Sequence, residues 1–156
     1  MTSEVVDTYQ GGNKIMENAP LISIVHAIVL LPLAVLFVYS FIAGIKKWRF
    51  HAQTATLAIV LDLTVSVAYM LNRLLGDKFS DSEANFTGAV LVYIIVHGII
   101  ATILIIMEIV VLVERFTNYR KKPITKFHTI MSKVLFFTWC FIFITGELFF
   151  FYVYML

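Results

Sequence analysis

Four long apolar stretches, at about residues 21–44, 52–75, 87–112 and 130–156, dominate this chain of 156 residues. Each supplies the ~20 consecutive residues that a helix needs to cross the hydrocarbon core of a bilayer. With 60% hydrophobic and only 14% charged residues, the chain lacks the polar surface that a water-soluble domain needs. The expected fold is therefore all-α: an integral membrane four-helix bundle, with residues 1–20 as an extracytoplasmic arm and residues 21–156 as a single transmembrane domain. The first apolar stretch is expected to stay in place, because it exceeds the h-region of a signal peptide and no basic n-region precedes it.

Charge gives the orientation. Lys46, Lys47 and Arg49 follow the first stretch, and Arg115, Arg120, Lys121, Lys122 and Lys126 follow the third. The N-terminal arm has Lys14 against Glu4, Asp7 and Glu17, and the second connection has Arg73 and Lys78 against Asp77, Asp81 and Glu83. Cations mark cytoplasmic loops, which places both termini outside, N-out and C-out, in the cytoplasmic membrane. The total of 12 Lys+Arg against 10 Asp+Glu leaves +2 and no basic face, so nucleic acid is not an expected partner.

Punctuation fits these limits. Asn18 and Pro20 suit a helix start, and Pro123 falls in the basic loop. Pro32, inside the first helix, is expected to kink it. Asn85-Phe86-Thr87 fits the N-glycosylation acceptor pattern on the expected outer side.

The chain repeats itself. Ser23-Ile24-Val25-His26-Ala27-Ile28 is similar to Ile94-Ile95-Val96-His97-Gly98-Ile99, and each is followed by an apolar run, a basic turn and a histidine opening the next helix, His51 or His128. Two helical hairpins of like topology imply a pseudo-two-fold axis along the membrane normal. His26 and His97 then share a depth in the outer leaflet, and His51 and His128 share a level at the cytoplasmic helix starts. Imidazoles on facing helices at one level are suited to ligating haem or a metal ion. An interfacial histidine also serves simply as an amphipathic side chain at headgroup level, and His97, deeper in the span, as an interhelical hydrogen-bonding group.

Three acids lie within the apolar spans. Asp62 comes eleven residues after His51, and Glu108 eleven after His97. At about 100° per residue this returns each acid to within ~20° of its histidine's face. Glu147 is expected at the depth of His26 and His97. Such groups are costly against lipid and should point inward, orienting metal-bound histidines, binding metal, relaying protons or holding subunits together. Trp139, eleven residues after His128, shares that histidine's face as a candidate aromatic lining for a porphyrin, although lipid-facing or inter-subunit packing is the commoner use of such a residue.

Catalytic motifs are not in evidence: there is no nucleophile triad, Gly-rich phosphate loop or HExxH, and no turnover chemistry is expected. The single cysteine, Cys140, excludes a disulfide framework and a cysteine-only metal site.

From about residue 45 onward the chain resembles the CtaM/YozB-type membrane proteins, a four-helix family of undefined activity linked with maturation of haem-copper cytochrome oxidases. The matching residues are Lys46-Lys47-Trp48-Arg49-Phe50-His51, Tyr93-Ile94-Ile95-Val96-His97, the basic Arg120-Lys121-Lys122 leading to His128, and the ending Trp139, Thr145-Gly146, Tyr152. The chain departs from that pattern at Ala55, where the family prefers methionine, and at Phe137-Thr138, where it prefers a proline. His26 has no counterpart in it. The resemblance implies His51, His97 and His128 as candidate ligands.

The functional expectation is an accessory or assembly protein for a respiratory or other membrane metalloenzyme complex, holding haem b or a transition metal ion (copper, zinc or iron) with intramembrane histidines. Its partners are then the lipid bilayer and the other subunits of that complex. A small dihaem b-type cytochrome passing electrons across the membrane and a purely structural subunit are the alternatives.

Overall fold

In a computed structural model the described residues, 21–75, 88–118 and 126–154, form four helices: α1 (Leu21–Ile45), α2 (His51–Leu75), α3 (Ala89–Asn118) and α4 (Lys126–Tyr154). The N-terminal arm with Asn18 and Pro20, the acidic connection with Asn85, and the stretch with Arg120, Lys121, Lys122 and Pro123 lie outside the described residues. The helices have 25, 25, 30 and 29 residues. At ~1.5 Å per residue they reach about 37–45 Å, enough to cross the ~30 Å hydrocarbon core with at least a turn to spare in all. All four are long and apolar enough to span a membrane.

Rich as they are in Ile, Val and Phe, these stretches are helical because a segment in lipid must satisfy its own backbone, and a helix does so within the segment. Side-chain exposure follows the same solvent. Val35, Ile28, Val92, Ile106, Val113 and Phe137 are among the many large apolar side chains pointing outward. Asp62, Glu108, Ser23 and Ser40 are buried. The protein is a multi-pass membrane bundle with its polarity turned inward.

Packing is most extensive within the hairpins α1–α2 and α3–α4, and α1–α4 and α2–α3 contacts close the ring. The α1–α2 turn is a Schellman cap. Trp48 N–H donates to the Ala43 carbonyl at 2.9 Å, and Lys47 N–H to that of Gly44 at 3.2 Å. Lys47 adopts the left-handed φ of 54° where glycine is usual. Pro32 sits within α1 with its ring on the exposed face, and the helix continues through it.

Two helix limits differ from the sequence expectation. The third helix runs on to Asn118, so Glu114 and Arg115 are helical residues, and the fourth starts at Lys126, so His128 lies in its first turn. Both apolar runs are extended by polar helical turns, where hydropathy no longer marks the helix end.

The internal repeat extends into the core. A shift of 71 residues carries buried Leu33, Phe37 and Ser40 of α1 onto buried Leu104, Glu108 and Val111 of α3. A shift of 77 carries buried Ala58 and Asp62 of α2 onto buried Leu135 and Trp139 of α4. The mid-bundle layer thus takes one residue from each helix, Phe37, Asp62, Glu108 and Trp139, with acid and aromatic exchanged between the hairpins.

Candidate functional site

The four helices place polar chemistry at three levels. At the centre, Glu108 is fully buried and Asp62 is 4% exposed. Trp139, 3% exposed, donates its Nε1–H to Asp62 Oδ1 at 3.0 Å. The two carboxyl groups face each other within hydrogen-bonding reach. Neither Oε of Glu108 receives an N–H or O–H from the described residues. Trp139 therefore does not face lipid or a neighbouring subunit: it stacks on Phe37 at 4.3 Å and on Phe143 at 5.2 Å between ring centroids, inside the bundle. Asp62 takes its hydrogen bond from this indole rather than from a histidine.

Toward the α1–α2 turn, His51 and His128 line one cleft of about 260 Å³ together with Gly44, Ala55, Ile59, Val111 and Arg115. His51 Nδ1 lies 2.9 Å from the Ser40 carbonyl oxygen. A carbonyl only accepts, so Nδ1 carries the hydrogen and Nε2 is the ring's lone-pair nitrogen. Gly44 makes this pose possible: a Cβ there would stand 2.7 Å from His51 Cε1. His128 is oriented differently, with Nδ1 paired to Glu114 Oε2 at 2.5 Å. The extension of α3 through Glu114 is what delivers this carboxylate.

At the opposite end, His97 is held by α3 and α4. Tyr93 O–H donates to the Thr145 carbonyl at 2.7 Å, and Thr145 Oγ1–H to the Phe141 carbonyl at 2.7 Å. Both oxygens then offer only lone pairs to His97 Nδ1, which stands 3.2 Å from Tyr93 Oη and 3.3 Å from Thr145 Oγ1. His97 is thus also the Nδ1–H tautomer. Its ring packs over Gly146, where a Cβ would meet Cε1 at 3.5 Å. The equivalent position in the first hairpin is Tyr69, and His26 stacks on it at 4.3 Å. Glu147, half-buried, follows Gly146 at the depth of His97.

The structure brings together Asp62, Glu108 and Trp139, and separately His51 and His128. The contacts of His26 and His97 lie each within its own hairpin. Among the described residues no three His, Cys, Asp or Glu side chains gather as a metal cluster. The orienting groups Ser40, Glu114, Tyr93 and Thr145 were not assigned roles by spacing. For Tyr93, four residues before His97 on one helix face, the signal was available. The Ser40 contact is a backbone carbonyl and leaves no sequence signature.

No family model, curated protein or solved structure matches this chain.

Proposed function

We propose that the chain is an accessory protein of a membrane metalloenzyme complex, holding a transition metal ion or haem at the end of the bundle that bears the α1–α2 turn. The observation that carries this reading is the shared cleft of His51 and His128, each with Nδ1 engaged by an orienting oxygen. Metal-ligating histidines are held in this manner: a carbonyl or carboxylate takes Nδ1–H, fixes the ring and makes Nε2 the more basic ligand atom. The donor set of two imidazoles suits copper, zinc, iron or haem iron, and Arg115 on the same cleft suits an anionic group such as a haem propionate. A bound metal would supply Lewis acidity or electron transfer there. The chain's part is to fix the ligands and to offer an apolar outer surface to lipid and partner subunits.

In this reading the cleft is cytoplasmic and both termini are outside, which the cations of the turns after α1 and α3 support. The dihaem alternative needs a second site between His26 and His97. It has less support, because His26 meets Tyr69 of its hairpin and His97 meets Tyr93 and Thr145 of the other, and no contact among the described residues joins the two rings.

Metal analysis and an absorption spectrum of the gently purified protein test the reading. Metal or haem at a constant ratio to protein, lost in both His51→Ala and His128→Ala, is the expected result. Full retention in both variants would move the site elsewhere, and a wild type devoid of metal and haem when purified with its native complex would leave a structural subunit.

A further inference from the structure

The central carboxyl pair has no part in the cleft's ligand chemistry, and its surroundings are specific. Glu108 is fully buried with both carboxyl oxygens lacking a donor. The only titratable group facing it among the described residues is Asp62, and α1 and α4 present Phe37 and Trp139 at this level. Asp62 in turn meets Glu108 and the Trp139 indole. Two carboxylates side by side, away from water and with no cation against them, cannot both be ionised. A proton on one of them turns an acceptor into a donor and supplies the hydrogen bond that Glu108 otherwise lacks.

Access to this proton differs between the two ends. Ile59 and Val111, which form the inner wall of the cleft, each lie three residues from Asp62 and Glu108 on their helices. That is a rise of ~4.5 Å, less than one helical turn. On the other side the stacked rings of Phe37, Trp139 and Phe143 and the buried Leu33 and Leu104 close the bundle.

We infer that Asp62 and Glu108 form an intramembrane proton-binding centre, which holds a proton between the two carboxyl groups and exchanges it with water through the cleft at the α1–α2 turn. The proton comes from a buffer acid by way of water in the cleft, and the pair changes by one charge when it is taken up or released. The site is separate from the imidazole cleft and holds whether or not that cleft binds metal.

Infrared spectroscopy of the full chain, treated with chelator and reconstituted in phosphatidylcholine vesicles, tests this at neutral pH. The expected wild-type signal is a protonated-carboxyl carbonyl band that shifts in D2O, is lost in Glu108→Gln, and moves in Asp62→Asn because its partner has become an amide. Filling the cleft with Ala55→Leu should slow the D2O shift by about tenfold, because exchange then requires an opening of the bundle. A wild type without the band, or a band untouched by both carboxyl substitutions, would overturn the proton-binding centre. A D2O shift as fast in Ala55→Leu as in the wild type would overturn the route through the cleft. The amide band of each variant reports its helical fold in the same spectrum.

Discussion

The indole Nε1–H of Trp139 donates to Asp62 Oδ1 at 3.0 Å between α2 and α4, and the two residues occupy equivalent positions of the two hairpins. A duplication that kept the same residue at both positions would have set two acids or two indoles against each other. The exchange of one for the other creates a donor and an acceptor on the pseudo-axis. Trp139→Phe keeps the stack on Phe37 but strips Asp62 of this donor, and should cost ~1–3 kcal/mol. Adding Asp62→Leu together with Glu108→Met should recover much of the loss, since the indole donor, its acceptor and the acid facing that acceptor are then all removed. Unfolding in mixed detergent micelles, followed by circular dichroism, measures both, and a Trp139→Phe bundle as stable as the wild type would make the bond energetically idle.

Glu108 makes the opposite expectation. Apart from a proton shared with Asp62, Glu108 is fully buried and receives no donor from the described residues, and an apolar side chain of similar volume in place of such a buried group is often neutral or better by ~1–4 kcal/mol. Glu108→Met should therefore unfold at equal or higher denaturant than the wild type while Leu104→Ala, from the same buried face, unfolds earlier. If Glu108→Met destabilises the bundle as much as Leu104→Ala does, the carboxyl is a structural group and was not retained at a cost.

The architecture was legible in the sequence because lipid leaves so few alternatives: an apolar run of sufficient length has to be a helix, and an acid inside it has to turn inward. The eleven-residue spacings put Asp62, Glu108 and Trp139 each on the face of a histidine, but they did not turn Trp139 inward: lipid-facing or inter-subunit packing is the commoner use of such a residue, and its burial against Phe37 and Asp62 comes from packing. The short repeat around His26 and His97 marked two hairpins whose cores proved to repeat. What spacing could not give was pairing between helices. A periodicity assigns a face and a depth, but whether Asp62 meets a histidine or Trp139 depends on the rotation of α2 against α4, which only packing decides. The role of Glu114 was hidden for another reason. Hydropathy ends the third span before it, although the helix runs on far enough to reach His128.

Gly44 offers a sharp test of how His51 is held. A methyl group at this position would lie 2.7 Å from His51 Cε1, so Gly44→Ala must displace the ring and break its bond to the Ser40 carbonyl. The bond itself is worth ~0.5–1.5 kcal/mol. Nitrogen NMR of labelled histidine should show the Nδ1–H tautomer of His51 in the wild type and its loss in Gly44→Ala; on the proposed function, metal content falls with it. An unchanged tautomer in the variant would show that the ring is held by something other than Ser40.

His97 and His26 occupy matching positions but have unequal partners, and the two substitutions should differ accordingly. His97 donates to Tyr93 Oη and Thr145 Oγ1 and couples α3 to α4. His26 is held by a ring stack on Tyr69. His97→Ala should cost ~1–3 kcal/mol and His26→Ala ~0.5–1.5 kcal/mol. On the proposed function, His97→Ala should also impair the complex that the chain serves more than His26→Ala does. Equal losses in stability would mean that the hydrogen bonds to Tyr93 and Thr145 add nothing beyond what the stack on Tyr69 gives His26.

The orientation can be read from α1 alone. Leu21 and Lys47 are both exposed, at opposite ends of this helix. The rise of ~36 Å from Leu21 to Ile45 at ~1.5 Å per residue exceeds the hydrocarbon core, so a spanning α1 puts Leu21 and Lys47 on opposite sides. In a Cys140→Ala background, Leu21→Cys and Lys47→Cys should react with a membrane-impermeant maleimide from different faces. Because Lys46, Lys47 and Arg49 share the turn, Lys47→Cys should be the one that reacts only after the cells are opened. Removing a single cation from that turn leaves Lys46 and Arg49 in place, so the substitution itself does not reverse the helix. Reaction of Leu21→Cys only in opened cells, with Lys47→Cys reacting in intact ones, would invert the bundle and put the His51 and His128 cleft on the outer side. Reaction of both from one side would remove α1 from the set of spanning helices.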